Sequence, residues 1–159
     1  MVGFENIKSH KIEMDQFPLK WRFTEEAYNV LPPEHLMQLQ PLDREAAELL
    51  SKFLEDAGLH DDVPFRKGFF KSEEWIELKT DEEQEVRKWL YQRGLPLKTE
   101  VFLSWDRRTA MIVPWKLMIE YFDDFFYPGP DDLTVFDASL NWAIFFWHEG
   151  WIYFGTNEK

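Results

Sequence analysis

The sequence predicts an α+β fold, a helical N-terminal half packed on a mostly antiparallel C-terminal sheet. Two changes along the chain point there. Capped, helically periodic segments run to about Leu90, whereas from Val101 the apolar residues form short runs broken by turns. The third observation is where the large rings lie. Trp115 to Phe154 holds half of the chain's Phe, Trp and Tyr side chains, which number 15, 8 and 5. Rings bury much area per residue, so this segment supplies the core. With 159 residues, no repeat, no low-complexity run and no linker, the chain 1–159 reads as a single domain.

Taken in order, Met1 to Lys20 is weakly periodic, and Phe17 and Trp21 anchor an extended piece. Thr24, followed by Glu25 and Glu26, reads as the N-cap of a helix that Pro32-Pro33 ends near Leu31. Pro33 then fits the first turn of a short helix through Leu39. Asp43 as N-cap and Gly58 as left-handed terminator bracket a longer helix, with Ala46, Leu49, Leu50, Phe53 and Ala57 on one face. His60 to Lys71, with Pro64 and Gly68, is a loop pinned by Phe65, Phe69 and Phe70. Trp75 to Leu78 is a short strand.

Thr80 and Glu83 form a capping box ahead of the stripe Val86, Trp89 and Leu90, and Gly94 with Pro96 stops that helix. Val101–Trp105 and Thr109–Val113 are strands around the turn Asp106-Arg107-Arg108. Pro114 opens a helix to Phe126, with Trp115, Met118, Ile119, Phe122 and Phe126 on one face. Tyr127-Pro128-Gly129-Pro130-Asp131-Asp132 is a turn region. Leu133–Asp137 is a strand. Trp142–Trp147, apolar at every position, is an inner strand covered on both faces. His148-Glu149-Gly150 closes a hairpin onto a last strand, Trp151–Gly155.

Composition removes several classes of function. The net charge of −12 opposes nucleic-acid phosphates, so no nucleic-acid partner is expected. No segment has the ~20 apolar residues of a membrane span, and Met1–Lys20 has no apolar run of a secretory leader. Zero cysteines exclude disulfides and thiolate chemistry and fit a reducing cytoplasm. The expectation is a cytoplasmic protein with no membrane association.

Motifs for catalysis are missing. The serines stand in no Gly-x-Ser-x-Gly setting, and the seven glycines include no Gly-x-Gly phosphate loop. His10, His35, His60 and His148 show no ligand spacing among themselves. His60-Asp61-Asp62 and His148-Glu149 read as polar turns. No metal, nucleotide or other cofactor is expected, and a non-enzymatic role is favoured over an enzymatic one.

One constellation stands out. From Leu117 to Glu158 there is no Lys or Arg, against eight carboxylates. Glu120, Asp123 and Asp124 have the i, i+3, i+4 spacing of one helix side, near a C-terminus where the dipole disfavours negative charge. Asp131 and Asp132 follow in the turn. The candidate partner-binding residues are therefore Glu120, Asp123, Asp124, Tyr127, Asp131 and Asp132, an acidic face with an aromatic anchor for a basic protein. If these carboxylates are paired internally, Arg107, Arg108 and Lys116 are the nearest cations in sequence. Two rival functions share the composition: a carboxylate-dependent hydrolase or carbohydrate-binding protein using the tryptophans, and a structural or regulatory protein.

The acidic, cysteine-free chain ends in aromatic strands around the Tyr127–Asp132 loop. In architecture and composition, over Val101 to Gly155, it resembles bacterial immunity proteins of polymorphic toxin systems. These include the group related to yeast cell-wall regulator domains. The resemblance implies capture and neutralisation of a basic toxin. It is also similar in kind to short bacterial proteins of unassigned function.

Overall fold

The computed structural model describes residues 1–158. Its strands are β1 (Asn29–Val30), β2 (Gln40–Pro41), β3 (Ser72–Glu77), β4 (Glu100–Asp106), β5 (Thr109–Pro114), β6 (Leu133–Phe136), β7 (Trp142–Trp147) and β8 (Trp151–Thr156). Its α-helices are α1 (Trp21–Thr24), α2 (Pro33–Leu36), α3 (Arg44–Ala57), α4 (Glu83–Tyr91), α5 (Trp115–Glu120) and α6 (Phe122–Phe125). Seven strands form one sheet in the order β2-β5-β4-β6-β7-β8-β3, and every neighbouring pair is antiparallel. The fold is α+β, as the sequence predicts.

The all-apolar run Trp142–Trp147 is an inner strand, flanked by β6 and β8. Both faces are covered, which is why alternation is absent there. On one face Leu103, Met111, Val135, Ile144, Phe146 and Ile152 pack with Val86 and Leu90 of α4, Trp115 and Met118 of α5, and Phe122 and Phe125 of α6. On the other, Ala110, Phe136, Ala143 and Phe145 pack against Ala46, Ala47, Leu50 and Leu54 of α3 and against Phe65 and Phe70 of the loop after it. Phe70 lies so close to β8 that a Cβ on Gly155 would come within 2.1 Å of its ring, so only glycine fits there. Helices therefore sit on both faces, and the N-terminal half is not a separate helical layer. It also provides both sheet edges, β2 and β3.

The caps of α3 are those expected. Asp43 Oδ1 accepts from the Ala46 amide at 2.9 Å, and Gly58 takes φ 69°. Gly150 likewise turns the β7–β8 hairpin at φ 90°.

Four local expectations fail. The piece between Phe17 and Trp21 is not extended: it turns, the Lys20 amide donates to the Phe17 carbonyl, and Trp21 opens α1. Thr24 does not open a helix; it ends α1, its hydroxyl donates to the Lys20 carbonyl, and the chain turns back so that Glu25 faces Asn29 and Thr24 faces Val30. Pairing onto Phe23, whose carbonyl accepts from the Leu31 amide, wins over the weak helix signal. The Thr80–Glu83 capping box is absent: Asp81 adopts φ 66° and α4 starts at Glu83. Here β3 pairing extends to Leu78, whose amide donates to the Gly150 carbonyl, and a tight turn must follow. The single helix from Pro114 to Phe126 is two, α5 and α6. Tyr121 at φ −116° ends the first, and its carbonyl accepts from the Asp124 and Phe125 amides to start the second. Its phenol is held by His35 Nδ1 on α2.

Phe146 is fully buried against Phe126, with ring centroids 5.3 Å apart. Truncation to Ala in the covered middle of the sheet is expected to cost ~3–5 kcal/mol. Urea unfolding of Phe146→Ala beside wild type measures this, and a loss below about 1 kcal/mol would contradict the burial argument.

Candidate functional site

The sequence-predicted carboxylates do not make one free negative face. Asp131 is half-buried and accepts from Arg22 through both oxygens, at 2.6 and 3.1 Å, and from the Tyr127 amide at 2.9 Å. Tyr127 is half-buried, and the Arg22 guanidinium stacks 4.0 Å from its ring centre. Asp123 is exposed and pairs with Arg87 at 3.2 Å. Asp124 is half-buried and accepts from Asn29 Nδ2 at 2.8 Å; burial pushes its carboxyl above the usual range. Glu120 lies 3.8 Å from His35. Asp132 accepts from the backbone amide and ring Nδ1 of His148, both at 2.9 Å, and it borders a cavity beside α3.

So the cations are not Arg107, Arg108 or Lys116. They are Arg22 and Arg87, both distant in sequence, while Glu120 and Asp132 lie against His35 and His148. The break at Tyr121 leaves Glu120 at the C-terminus of α5 but removes the expected dipole conflict for the two aspartates. Asp123 and Asp124 stand in the first turn of α6, where negative charge is favoured.

The outer edge of the sheet shows the opposite pattern. Among the described residues strand β3 pairs with β8 alone, and its other side has no strand beside it. Carboxylates crowd it: Glu73, Glu74 and Glu77 on the strand, then Asp81, Glu82, Glu83 and Glu85 in the turn and the start of α4, with Lys79 the one cation among them. Among the described residues only Glu74 of these seven forms an ion pair, with Arg93 Nη1 at 2.7 Å. Glu77, Glu82 and Glu85 share a shallow groove with Ile76 and Val86.

Trp75 stands in the middle of this edge and is 60% exposed. It lies opposite Tyr153, with Glu77 opposite Trp151, so three large rings share one face of the sheet rim. Glu73, Trp75, Trp151 and Tyr153 form a cup of about 340 Å³ with Pro64, and partial burial there lifts the Glu73 carboxyl. Of the eight tryptophans, Trp115 and Trp142 are core, as the helix and strand patterns imply. Trp75 is not. The sequence signal for this site was present in the short strand at Trp75 and in the glutamates around it, but which strand occupies a sheet edge is set by long-range pairing.

Each histidine is tied to a neighbour. His10 contacts Asp43 at 2.8 Å, and His60 sits between the Pro64 carbonyl and the Thr134 hydroxyl, both at 2.8 Å. Among the described residues no group of three or more His, Asp or Glu side chains is arranged to hold a metal ion. Among the described residues no helix is long and apolar enough to cross a membrane. No protein-family model matches the chain, and neither a curated protein nor a solved structure matches it.

Two outcomes follow from these placements. Asp131→Ala leaves Arg22 buried without its partner, and the expected cost is ~3–5 kcal/mol in denaturant unfolding. A near-neutral change would mean that Asp131 is solvated surface after all. The second concerns pH. Burial holds the pKa of His60 below its ordinary 6.5. The unfolded chain therefore takes up this proton first as pH falls, so the His60 contribution is complete above 6.5 and is lost in the window from there down to the folded pKa. The urea midpoint of wild type should drop between about pH 7.5 and 5.5, and His60→Gln should flatten that drop.

Proposed function

We propose that the protein is a non-enzymatic binding domain for a basic protein, and that the partner docks on the free edge of β3. The observation that supports it is the coincidence, on one edge, of a strand with one open side, an exposed tryptophan and a run of carboxylates of which Glu74 alone is ion-paired. An open edge presents backbone N–H and C=O groups to any extended segment. Negative side chains along it repel a second copy of the same edge and attract a segment rich in Lys or Arg. Trp75 supplies the ring that anchors such interfaces.

The expected immunity role, neutralising a cationic toxin in the cytoplasm, is this same reading with its partner specified. A phosphate-rich partner is disfavoured by the net charge of −12. Carbohydrate binding is the second reading, because Trp75, Trp151 and Tyr153 form an open aromatic shelf.

Salt separates the two. An extended peptide alternating Lys with Val should bind the wild-type protein and weaken steeply as ionic strength rises from about 0.02 to 0.2 M. Replacing Glu73 and Glu77 by Lys and Trp75 by Ala should abolish that binding while leaving the unfolding midpoint within error. A peptide that binds the triple variant as well as wild type would overturn the edge as the site. Salt-indifferent binding of a soluble oligosaccharide, lost with Trp75→Ala alone, would favour the second reading.

A further inference from the structure

On the face of the sheet that α3 covers, a cavity of about 500 Å³ opens between α3, the loop after it and the β4, β6 and β7 strands. Its floor is one row of the sheet, where Ser104 lies opposite Thr134 and Thr134 opposite Phe145. His60 fixes the polarity of that floor. Its Nδ1–H donates to the Pro64 carbonyl, which leaves Nε2 to accept from the Thr134 hydroxyl. The Thr134 oxygen then faces the cavity as an acceptor only. Ser104 is 7% exposed, and its hydroxyl bonds to no described residue. The hydroxyl is not sealed off from solvent, so it is free to bond to whatever occupies the cavity.

The rim has one sign. Glu55, Asp61, Asp106 and Asp132 line the opening, all exposed, and no Lys or Arg lines it. Asp132 holds His148, and Asp106 holds the Arg108 amide through one oxygen. Phe145 and Trp147 form an apolar wall, with the His60 ring 4.5 Å from that of Phe145.

We propose that this cavity binds a small organic cation, an ammonium head on an apolar body. An ammonium group has three donors and no acceptor, which matches the oxygens of Ser104 and Thr134 below the carboxylate rim. The apolar body lies against Phe145 and Trp147, where a cation also gains from the ring face. An anion meets four carboxylates at the entrance. A neutral ligand gains nothing from them. Burial keeps His60 uncharged near neutral pH, so the floor adds no repulsion. The site is separate from β3 and does not rest on the edge being a docking surface.

Calorimetric titration with phenethylammonium, using 2-phenylethanol as the neutral counterpart, tests the assignment. The cation is expected to bind saturably and at least tenfold more tightly than the alcohol. Ser104→Ala should weaken it about tenfold. Glu55→Gln with Asp61→Asn, both exposed and harmless to the fold, should weaken the cation several-fold and leave the alcohol unchanged. A lysine mimic, Nα-acetyl-lysine methylamide, tells the sources apart. Its binding points to a protein lysine as the natural occupant, and its failure beside bound phenethylammonium points to free amines. Equal affinity for cation and alcohol, no saturable binding of either, or cation binding indifferent to both the serine and the rim variants overturns the proposal.

Discussion

The ion pair between buried Arg22 and Asp131 is the constraint on which the middle of the structure depends. Arg22 is 3% exposed, and a guanidinium in such a place must be paired and hydrogen-bonded. Asp131 meets it with both oxygens, the Phe125 carbonyl accepts from Nη1 at 3.4 Å, and the Trp21 and Tyr127 rings flank it. Asp131 also takes the Tyr127 amide, so the proline-glycine turn is closed on itself by the same carboxylate. That turn delivers β6 between β4 and β7. One ion pair thus joins the N-terminal arm to the segment that starts the middle strand of the sheet.

The pair also governs where negative charge remains. Beyond Lys116 the described chain contains no Lys or Arg, so these carboxylates take partners from earlier in the chain: Arg22 for Asp131, Asn29 for Asp124, Arg87 for Asp123. Those three groups are then absent from any neutralisation near β3. After Leu117, Asp123 and Asp131 are matched by arginines brought from far along the chain. Between Glu73 and Glu85, Glu74 alone is matched among the described residues.

Local signals were readable from sequence, and pairings across long separations were not. The helix from Asp43 to Gly58, the hairpin at Gly150 and the inner strand Trp142–Trp147 each rest on contacts within a few residues or on an unbroken apolar run. Arg22 and Asp131 are 109 residues apart, and nothing in Trp-Arg-Phe-Thr marks its arginine as buried. The candidate carboxylates are close in sequence, yet Asp123, Asp124 and Asp131 turn to separate internal partners instead of forming one exposed face. For Asp123 and Asp124 the difference has a further source. A helix ending at Tyr121 reverses the sign of the dipole argument for the residues just beyond it. The aromatic rim at Trp75 was missed because a tryptophan in a short strand reads as core until the strand's neighbours are known.

The two edges of the sheet differ in a way that bears on binding. Strand β2 is two residues long, one of them Pro41, which lacks an amide hydrogen, and the chain beyond it is occupied by the bridge from Lys11 to Leu42. That edge offers little to an incoming segment. Strand β3 is six residues long, contains no proline, and keeps a row of solvent-facing side chains. Its protection against uncontrolled pairing is electrostatic rather than steric: Glu73, Glu74 and Glu77 make self-association unfavourable without blocking the backbone. Proline or a covering loop would exclude every partner alike. Charge excludes by sign, so the same glutamates that keep the protein from pairing with itself leave the edge open to a segment of the opposite charge.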